Sequence, residues 1–361
     1  MKQVPISVCM IGKNEERFLE KTLDALRGFL EKMPKGSELV FADTGSSDHT
    51  REIAARYTDR IYDFAWCDDF SAARNFAASK AGNDLIFALD CDEVPVEYDA
   101  QEFCRLTAEY SDCLGDIVRQ DWSPESDGSA SLVTTDIRRI YDRRLYRFRG
   151  IIHEQIIPIL PRKLYFYKLP ILLDHQGYMG SLEERRKKSE RNASLLRQII
   201  EKEPEEPYHY LQLGQSYHAL DEWEEAVVWY EKACSFPLTP DLPYVGTLLL
   251  NYGYDLLSLG REEEALKLLE KYYPDFFLSS DLFCLAGAIR QHTGEPIKAM
   301  LEYMNAILCP VHYKEGTNSF IPYFQIGVIY EILGKREEAL DNYRKCGDFP
   351  PALDCIRNLT Q

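Results

Sequence analysis

Apolar and polar positions along the first hundred residues switch repeatedly between two periods. Residues 4–11 form a short β-rich apolar run that ends at Gly12. Residues 14–33 then place Phe18, Leu19, Leu23, Leu26 and Leu30 at helical spacing. The alternation continues with a strand over 38–43, a helix over 48–57, a strand over 60–65 and a helix over 70–80. That last helix carries Ala72, Ala73, Phe76 and Ala77 on or near one face. Residues 84–90 close the series as a buried strand built on Leu85, Ile86, Phe87 and Leu89. Strands alternating with helices of this length predict a parallel sheet with helices on both faces. Three strands end in polar groups: Gly12-Lys13-Asn14-Glu15, Asp43-Thr44-Gly45-Ser46-Ser47-Asp48 and Asp90-Cys91-Asp92-Glu93. In such a sheet all three open into one crevice at the carboxyl edge.

Residues 94–180 are less regular. A helix is predicted over 100–110 and strand-like pieces over 115–121, 131–141 and 145–148, with Pro and Gly more frequent. This pattern suits the variable half of a mixed sheet.

The second half changes character. A charged helix starts near Ser181 and runs towards Lys202, and an internal repeat begins after Pro204 and Pro207. Gly214, Tyr217, Ala226, Tyr230 and Ala233 share their spacing with Gly253, Leu256, Ala265, Leu269 and Tyr272. The same spacing recurs at Gly287, Arg290, Ala299, Tyr303 and Ala306, and again at Gly327, Tyr330, Ala339, Tyr343 and Cys346. Small residues at fixed places let paired helices approach closely, and the aromatic or Leu is expected to fill the groove between repeats. This is the tetratricopeptide pattern. Its usual role is to present a binding face; a plain helical spacer is the alternative. Residues 351–359 are predicted to be a capping helix. The organisation is thus a domain over 1–180, a linking helix over 181–206 and a repeat domain over 207–361.

Composition narrows the partners. The formal charge is −17 at pH 7 over 361 residues, which argues against nucleic-acid binding, a function that needs a basic face. Hydrophobic residues make up 45% of the chain, enough for packed cores. None of the ten cysteines forms a CxxC pair or a zinc-spaced cluster with His, which fits a reducing compartment. The start, Met1-Lys2-Gln3-Val4-Pro5, shows no signal-peptide apolar region, and no run of 18 apolar residues occurs. A cytoplasmic location without a membrane span is expected.

The pair Asp90/Asp92 carries the sharpest chemistry. Two carboxylates emerging from the carboxyl end of a strand are placed to hold a divalent cation against a phosphorylated ligand, although Asp-x-Asp also occurs in solvated loops. Carboxylate oxygens suit Mg²⁺ or Mn²⁺. His175, in the cluster Asp174-His175-Gln176-Gly177-Tyr178, is a candidate third ligand or phosphate contact, or a structural hydrogen-bonding His. Arg138, Arg139, Arg143, Arg144, Arg147 and Arg149 concentrate guanidinium groups that either hold an anion or alternate outward along strands. No phosphate-gripping Gly-rich loop follows the first strand, so a nucleotidyltransferase is not favoured.

Four ordered motifs resemble glycosyltransferase family 2 with its GT-A fold. They are Ile6-Ser7-Val8-Cys9-Met10-Ile11-Gly12-Lys13-Asn14-Glu15, Asp43-Thr44-Gly45-Ser46-Ser47-Asp48-His49-Thr50, Phe70-Ser71-Ala72-Ala73-Arg74-Asn75 and Leu89-Asp90-Cys91-Asp92-Glu93. Joined to tetratricopeptide repeats, the chain is similar to a bacterial group that includes peptide S-glycosyltransferases of glycosylated bacteriocins. Related catalytic domains occur among lipopolysaccharide-core sugar transferases.

The resemblance implies a nucleotide-sugar donor held by Ile11, Asn14, Glu15, Asp43, Arg74, Asp90, Cys91 and Glu93. Asp43 would read the base through its imino N–H, favouring a UDP-sugar. Asp90 would touch mainly the ribose, with Asp92 the first cation ligand. Glu93 would meet donor hydroxyls or cap the next turn, and Cys91 is also explained by packing. The segment Arg149-Gly150-Ile151-Ile152-His153-Glu154 resembles a stretch of the subfamily that carries a His-Glu pair. An inverting transfer needs a base to take the acceptor proton. Glu154 is the first candidate, His153 a helper or alternative, and an ion pair with a nearby arginine the competing role for Glu154. The implied function is metal-dependent inverting transfer of a sugar to a peptide or protein acceptor recognised by the repeats, with a homodimer as a further possibility. The alternatives are transfer to a lipopolysaccharide core or cell-surface polysaccharide, and a non-catalytic repeat scaffold.

Overall fold

The computed structural model describes residues 4–124, 130–175, 182–240, 242, 244–273, 275–276 and 278–360. The chain divides into two compact units, Met1–Gly180 and Ser181–Gln361.

The first unit opens with β1 (Ile6–Gly12), α1 (Glu16–Leu30), β2 (Glu38–Asp43), α2 (Thr50–Ala54), β3 (Ile61–Asp63), α3 (Phe70–Lys80) and β4 (Leu85–Asp90). It continues with β5 (Glu93–Tyr98), α4 (Ala100–Glu109), β6 (Leu114–Pro124), β7 (Ala130–Asp142), β8 (Tyr146–Arg149), β9 (Gln155–Pro158) and β10 (Phe166–His175). The strands assemble in the order β3-β2-β1-β4-β7-β6-β10-β5, and β8 and β9 form a separate hairpin. Strands β3, β2, β1 and β4 are parallel, β7 runs against both β4 and β6, and β10 lies parallel to β6 and against β5. The parallel half matches the pattern read from the sequence. The strands β5, β9 and most of β10 were not anticipated.

The period-2 pleat of β1 and β4 explains two cores. Ile6, Val8 and Met10, with Leu85, Phe87 and Leu89, face α1 and α4, where Phe29 meets Phe87, Tyr98 and Phe103 edge-on. Cys9, Ile86 and Ala88 face Ala77 and Ala78 of α3 and Tyr146, Phe148 and Ile156 of the hairpin. The small residues of α3 let that helix lie close to the sheet.

The connection from β4 to β5 forces a curl. Three peptide steps from Asp90 to Glu93 reach at most ~11 Å. Yet β7, β6 and β10 stand between those strands, and four strand spacings of ~4.8 Å in a flat sheet would need ~19 Å. The sheet therefore coils until the start of β5 lies under the end of β4. The curl brings Glu93, Asp121 and His175 beside Asp90 and Asp92.

The second unit is helical: α5 (Leu182–Lys202), α6 (Pro207–His218), α7 (Trp223–Cys234), α8 (Val245–Ser258), α9 (Glu262–Tyr272), α10 (Ser280–His292), α11 (Pro296–Leu308), α12 (Phe320–Ile332), α13 (Arg336–Arg344) and α14 (Pro350–Thr360). Helices α6 to α13 form four pairs, one for each sequence repeat. The repeated alanines Ala226, Ala265, Ala299 and Ala339 are all buried. A Cβ on Gly214 would stand 2.4 Å from the Tyr230 ring, and Gly287 and Gly327 meet Tyr303 and Tyr343 at 2.5 Å. The repeat tyrosine thus packs against the glycine of its own helix pair and also borders the next repeat, where Tyr230 lies 6.1 Å from Tyr252 and Tyr303 clusters with Ile326 and Ile329. The second repeat is the exception. Leu269 replaces the tyrosine, and Leu285 of the next repeat comes within 2.7 Å of the Gly253 position.

Candidate functional site

The carboxyl ends of β1, β2, β3 and β4 are in register. Gly12 pairs with Asp43, Asp43 with Asp63, and Ile11 with Asp90. The polar groups predicted to share one crevice are therefore neighbours along one edge.

On the β1/β2 side the polar groups knit two loops together. Asn14, at φ +58°, donates its backbone N–H to Ser46 Oγ and accepts from Ser47 N at 2.8 Å. The N–H of Glu15 donates to Thr50 Oγ1 at 2.7 Å. Asp48 accepts from Glu16 N and Thr50 N, so one carboxylate serves the starts of α1 and α2. Asp43 is buried, accepts from Ser46 N at 3.2 Å and lies 3.8 Å from Arg51. Gly45 adopts φ +99° with open space where a Cβ would be, so backbone conformation alone accounts for the glycine. Ile11 is half-buried at this edge.

The motif of α3 does two jobs. Asn75 clamps the hairpin: its Nδ2 donates to Phe148 O at 2.9 Å and its Oδ1 accepts from Phe148 N at 3.0 Å. Phe70 N adds a bond to Ile151 O. This docking carries the β8–β9 turn, with Gly150 at φ +112° and His153 at φ +50°, over the sheet edge. Arg74, one residue earlier on the helix, then reaches Glu154 from that turn and Asp90 from β4 at once.

From there a single chain of ion pairs crosses the site. Arg74 Nε donates to Glu154 Oε1 and its Nη2 to Asp90 Oδ1 at 2.7 Å. Arg139 Nη2 donates to Asp90 Oδ2 and to Glu93 Oε1, both at 2.7 Å. Arg119 joins Glu93 at 3.1 Å to Asp121 at 3.0 Å. Asp121 Oδ1 lies 2.6 Å from His175 Nδ1, and His175 Nε2 lies 3.2 Å from Asp92 Oδ2. Charges alternate along the whole path from Glu154 to Asp92. Burial alone would raise the Asp90 carboxyl, but the Arg139 and Arg74 guanidiniums outweigh it and hold the group well below the usual carboxylate range. Burial works against the His175 cation, yet the bonds to Asp121 and Asp92 raise it to about 9. Without a cation the imidazole is therefore held in its protonated form, and a metal ion binding at Nε2 would have to displace that proton.

Several expected donor contacts take a different form. The Cys91 side chain is 3% exposed, donates to Ile11 O at 3.3 Å and packs under the sheet; burial pushes its thiol well up. Its carbonyl is also engaged, by Thr22 Oγ1 at 2.7 Å. Glu93 is fully buried and accepts from Asp90 N at 3.1 Å, so it braces the turn and offers no surface to sugar hydroxyls. Glu154 is paired with Arg74, the competing role weighed for it, while also facing the Asp90 end of the crevice. Of the six clustered arginines only Arg139 enters the network. Arg138 pairs with Asp116, Arg143 and Arg144 pair with Asp84, and Arg147 and Arg149 are exposed on the hairpin. A register shift of β7 against β6 falls at this point, between the Ile140 and Arg138 pairings, and Arg138 turns to Asp116 while Arg139 turns to Asp90 and Glu93. Arg119 and Asp121 were missed. The signal was present: Asp121 ends a predicted strand, and Arg119 lies two residues back on the same face. Of the cluster at 174–178, Gln176, Gly177 and Tyr178 lie outside the described residues; Asp174 accepts from Trp122 Nε1 at 2.7 Å.

A cation can be tested against this donor set. Both oxygens of Asp90 are held by guanidiniums, and among the described residues no three His, Cys, Asp or Glu side chains are grouped to cage a metal. Asp92 and the facing His175 Nε2 remain. A magnesium-type ion commonly takes one or two protein ligands and completes its shell with substrate phosphates and water. The residues fit an ion that arrives with a diphosphate.

Residues 7–159 match the model described as "Glycosyl transferase family 2". The N-terminal unit is a family 2 glycosyltransferase domain. Residues 210–237 and 322–348 match "Tetratricopeptide repeat", so the family 2 domain is followed by repeats of that type. A TPR repeat-containing protein of Synechococcus elongatus is 26% identical over 58% of this chain and 51% of its own length. The SPbeta prophage-derived glycosyltransferase SunS of Bacillus subtilis is 25% identical over 63% of this chain and 53% of its own. The chain thus spans about half the length of the curated relatives it matches. Among solved structures, MamA is 20% identical over 47% of this chain and 94% of its own, with TM-score 0.39. YrrB, titled a TPR protein with an unusual peptide-binding site, is 19% identical over 49% of this chain and 90% of its own, with TM-score 0.40. Among the described residues no helix is long and apolar enough to cross a membrane.

Proposed function

We propose that this chain is a metal-dependent inverting glycosyltransferase that moves a sugar from a nucleotide-diphosphate sugar, UDP-linked by preference, to a peptide or protein acceptor. The observation that carries this reading is the convergence of Arg74, Asp90 and Glu154 at the carboxyl edge of a family 2 sheet, beside Asp92 and His175. The catalytic domain is assigned to 1–180, the linking helix to 181–206 and the acceptor-recognising repeats to 207–361. The ten unpaired cysteines suit a cytoplasmic enzyme.

In this mechanism Ile11 and the loops locked by Asn14 and Glu15 flank the nucleotide, and the Asp43 carboxylate accepts the imino N–H of the base. Asp90, kept ionised by two guanidiniums, accepts from a ribose hydroxyl. Arg74 presents its guanidinium to the diphosphate; its Nη1 is buried without a hydrogen-bond partner among the described residues, a donor in reserve. Asp92 and His175 would hold a Mg²⁺ or Mn²⁺ ion, which when bound supplies positive charge to the departing diphosphate. The acceptor attacks C1 from the opposite face, and the Glu154 carboxylate takes its proton, with His153 bordering the same turn. Glu93 and Cys91 act indirectly, by fixing the turn that bears Asp90 and Asp92.

A panel of UDP- and GDP-sugars with Mn²⁺, read as donor hydrolysis and by mass spectrometry of candidate peptides, tests the reading. Turnover with a UDP-sugar, loss on chelation and a drop of at least ~10²-fold in Asp92→Ala are expected. Turnover that ignores both chelator and Asp92→Ala, or none with any nucleotide sugar, overturns it.

A further inference from the structure

We infer that Asp121 is a positioning residue for the cation site: it fixes the His175 ring so that Nε2 faces Asp92. The inference rests on the metal-dependent reading above and adds a residue which that reading does not contain. Asp121 and His175 stand directly opposite each other across β6 and β10, and both are buried. Their side chains meet at 2.6 Å through Nδ1, leaving Nε2 directed at Asp92, 3.2 Å away. A carboxylate on one ring nitrogen sets the tautomer and the orientation of the other, and ligating histidines are commonly held in this way.

Asp121 is itself held in place. Its Oδ2 accepts from Arg119 Nε and Nη2 at 3.2 and 3.1 Å and from Thr135 Oγ1 at 3.3 Å. Arg119 also grips Glu93, whose other oxygen accepts from Asp90 N. The frame that orients His175 is therefore continuous with the turn that carries Asp92. Strands β6, β7 and β10 and the β4–β5 turn thus share one support.

The test is Mn²⁺ binding in the presence of UDP, followed by electron paramagnetic resonance of free Mn²⁺, on the full chain. Wild type, Asp92→Asn, Asp121→Asn and Asp121→Ala are compared, each with its metal-free melting temperature. Retention by wild type, loss in Asp92→Asn and a 10–100-fold weaker affinity in Asp121→Ala, with a smaller shift in Asp121→Asn, are expected. A role confined to packing would lower the melting temperature and leave the affinity of the folded protein unchanged, which overturns the inference alone. No Mn²⁺ retention by wild type overturns the metal reading and this inference with it. Wild-type protein labelled with ¹⁵N-histidine decides the matter even where a variant does not fold. On adding Mg²⁺ and UDP, the Nε2 resonance of His175 should move while Nδ1 keeps its proton. A deprotonated Nδ1 overturns the inference.

Discussion

Replacing Arg74 by methionine separates the charge of this side chain from the space it fills. Arg74 is 7% exposed and joins Asp90 to Glu154. Removing one partner of a buried ion pair costs about 3–5 kcal/mol, because the charge left behind is desolvated and uncompensated. Asp90 keeps Arg139 at 2.7 Å, so the exposed debt falls on Glu154, whose side chain is 10% exposed. Among the described residues no other cation lies within ion-pair distance of Glu154. The Arg74 guanidinium also sits 5.3 Å from the Phe148 ring, and methionine restores part of that contact. The lower end of the range, about 3 kcal/mol, is therefore the expectation for Arg74→Met. Neutralising the orphan in Arg74→Met/Glu154→Gln should return the loss to about 1 kcal/mol, so the charge stranded on Glu154 accounts for about 2 kcal/mol of the single variant's loss.

Because the chain holds two compact units, one global unfolding curve would mix their transitions. Amide hydrogen exchange of a peptide covering β4 reports the first unit by itself, under conditions where reclosing outpaces exchange. At 1.4 kcal/mol per decade, Arg74→Met should exchange there roughly 10²-fold faster than wild type, and the double variant within about tenfold. Exchange within threefold of wild type in the single variant, or no recovery in the double, would refute the claim that this ion pair holds Glu154.

Two further outcomes follow from the packing and burial. Gly214→Ala sets a Cβ 2.4 Å from the Tyr230 ring, a buried rigid group, whereas Gly253→Ala meets the flexible end of Leu285 at 2.7 Å. Gly214→Ala should lower stability by about 2 kcal/mol and Gly253→Ala by less than about 1 kcal/mol, since alanine's helix propensity offsets part of each. Amide hydrogen exchange of peptides covering α6 and α8, which reports the second unit by itself, checks the order, and a reversed order refutes the role given to the ring. Burial pushes the Cys9 thiol up to about 12, so its thiolate fraction at pH 8 is on the order of 10⁻⁴. Brief iodoacetamide treatment of native protein at pH 8 should label the exposed Cys67 and spare Cys9 and Cys91, as read by peptide mass spectrometry. Early labelling of Cys91 would refute its burial under the sheet.

How much was legible in the sequence depended on whether the information was local. The strands β1, β2 and β4 and the helices α1 and α3 announce themselves through their period, and the repeats through four coincident glycines. Strand β5 did not, because Glu93-Val94-Pro95-Val96-Glu97-Tyr98 carries a proline and two acids and lies on a sheet edge, where Pro is tolerated. Strand β10 showed only as an apolar run, since its partners β5 and β6 lie far away in sequence. The curl of the sheet is a product of strand order, and strand order is set by those distant pairings. Asp121 illustrates the consequence. It ends its strand just as Asp90 does, but nothing local tells that His175 will stand opposite.

The same non-locality binds together roles that the sequence assigned separately. Asp90 was placed with the donor and Glu154 with the acceptor proton, on motifs 64 positions apart in the numbering. Arg74 gives one nitrogen to each. Whatever changes the charge or position of one carboxylate changes the field at the other through a single guanidinium. Arg139 and Arg119 extend the same dependence through Glu93 and Asp121 to His175 and Asp92. Single substitutions at these carboxylates therefore cannot be assigned to donor, cation or base by their activity alone. The effects must be non-additive along the chain of pairs and additive with changes outside it, which only double-variant cycles can separate.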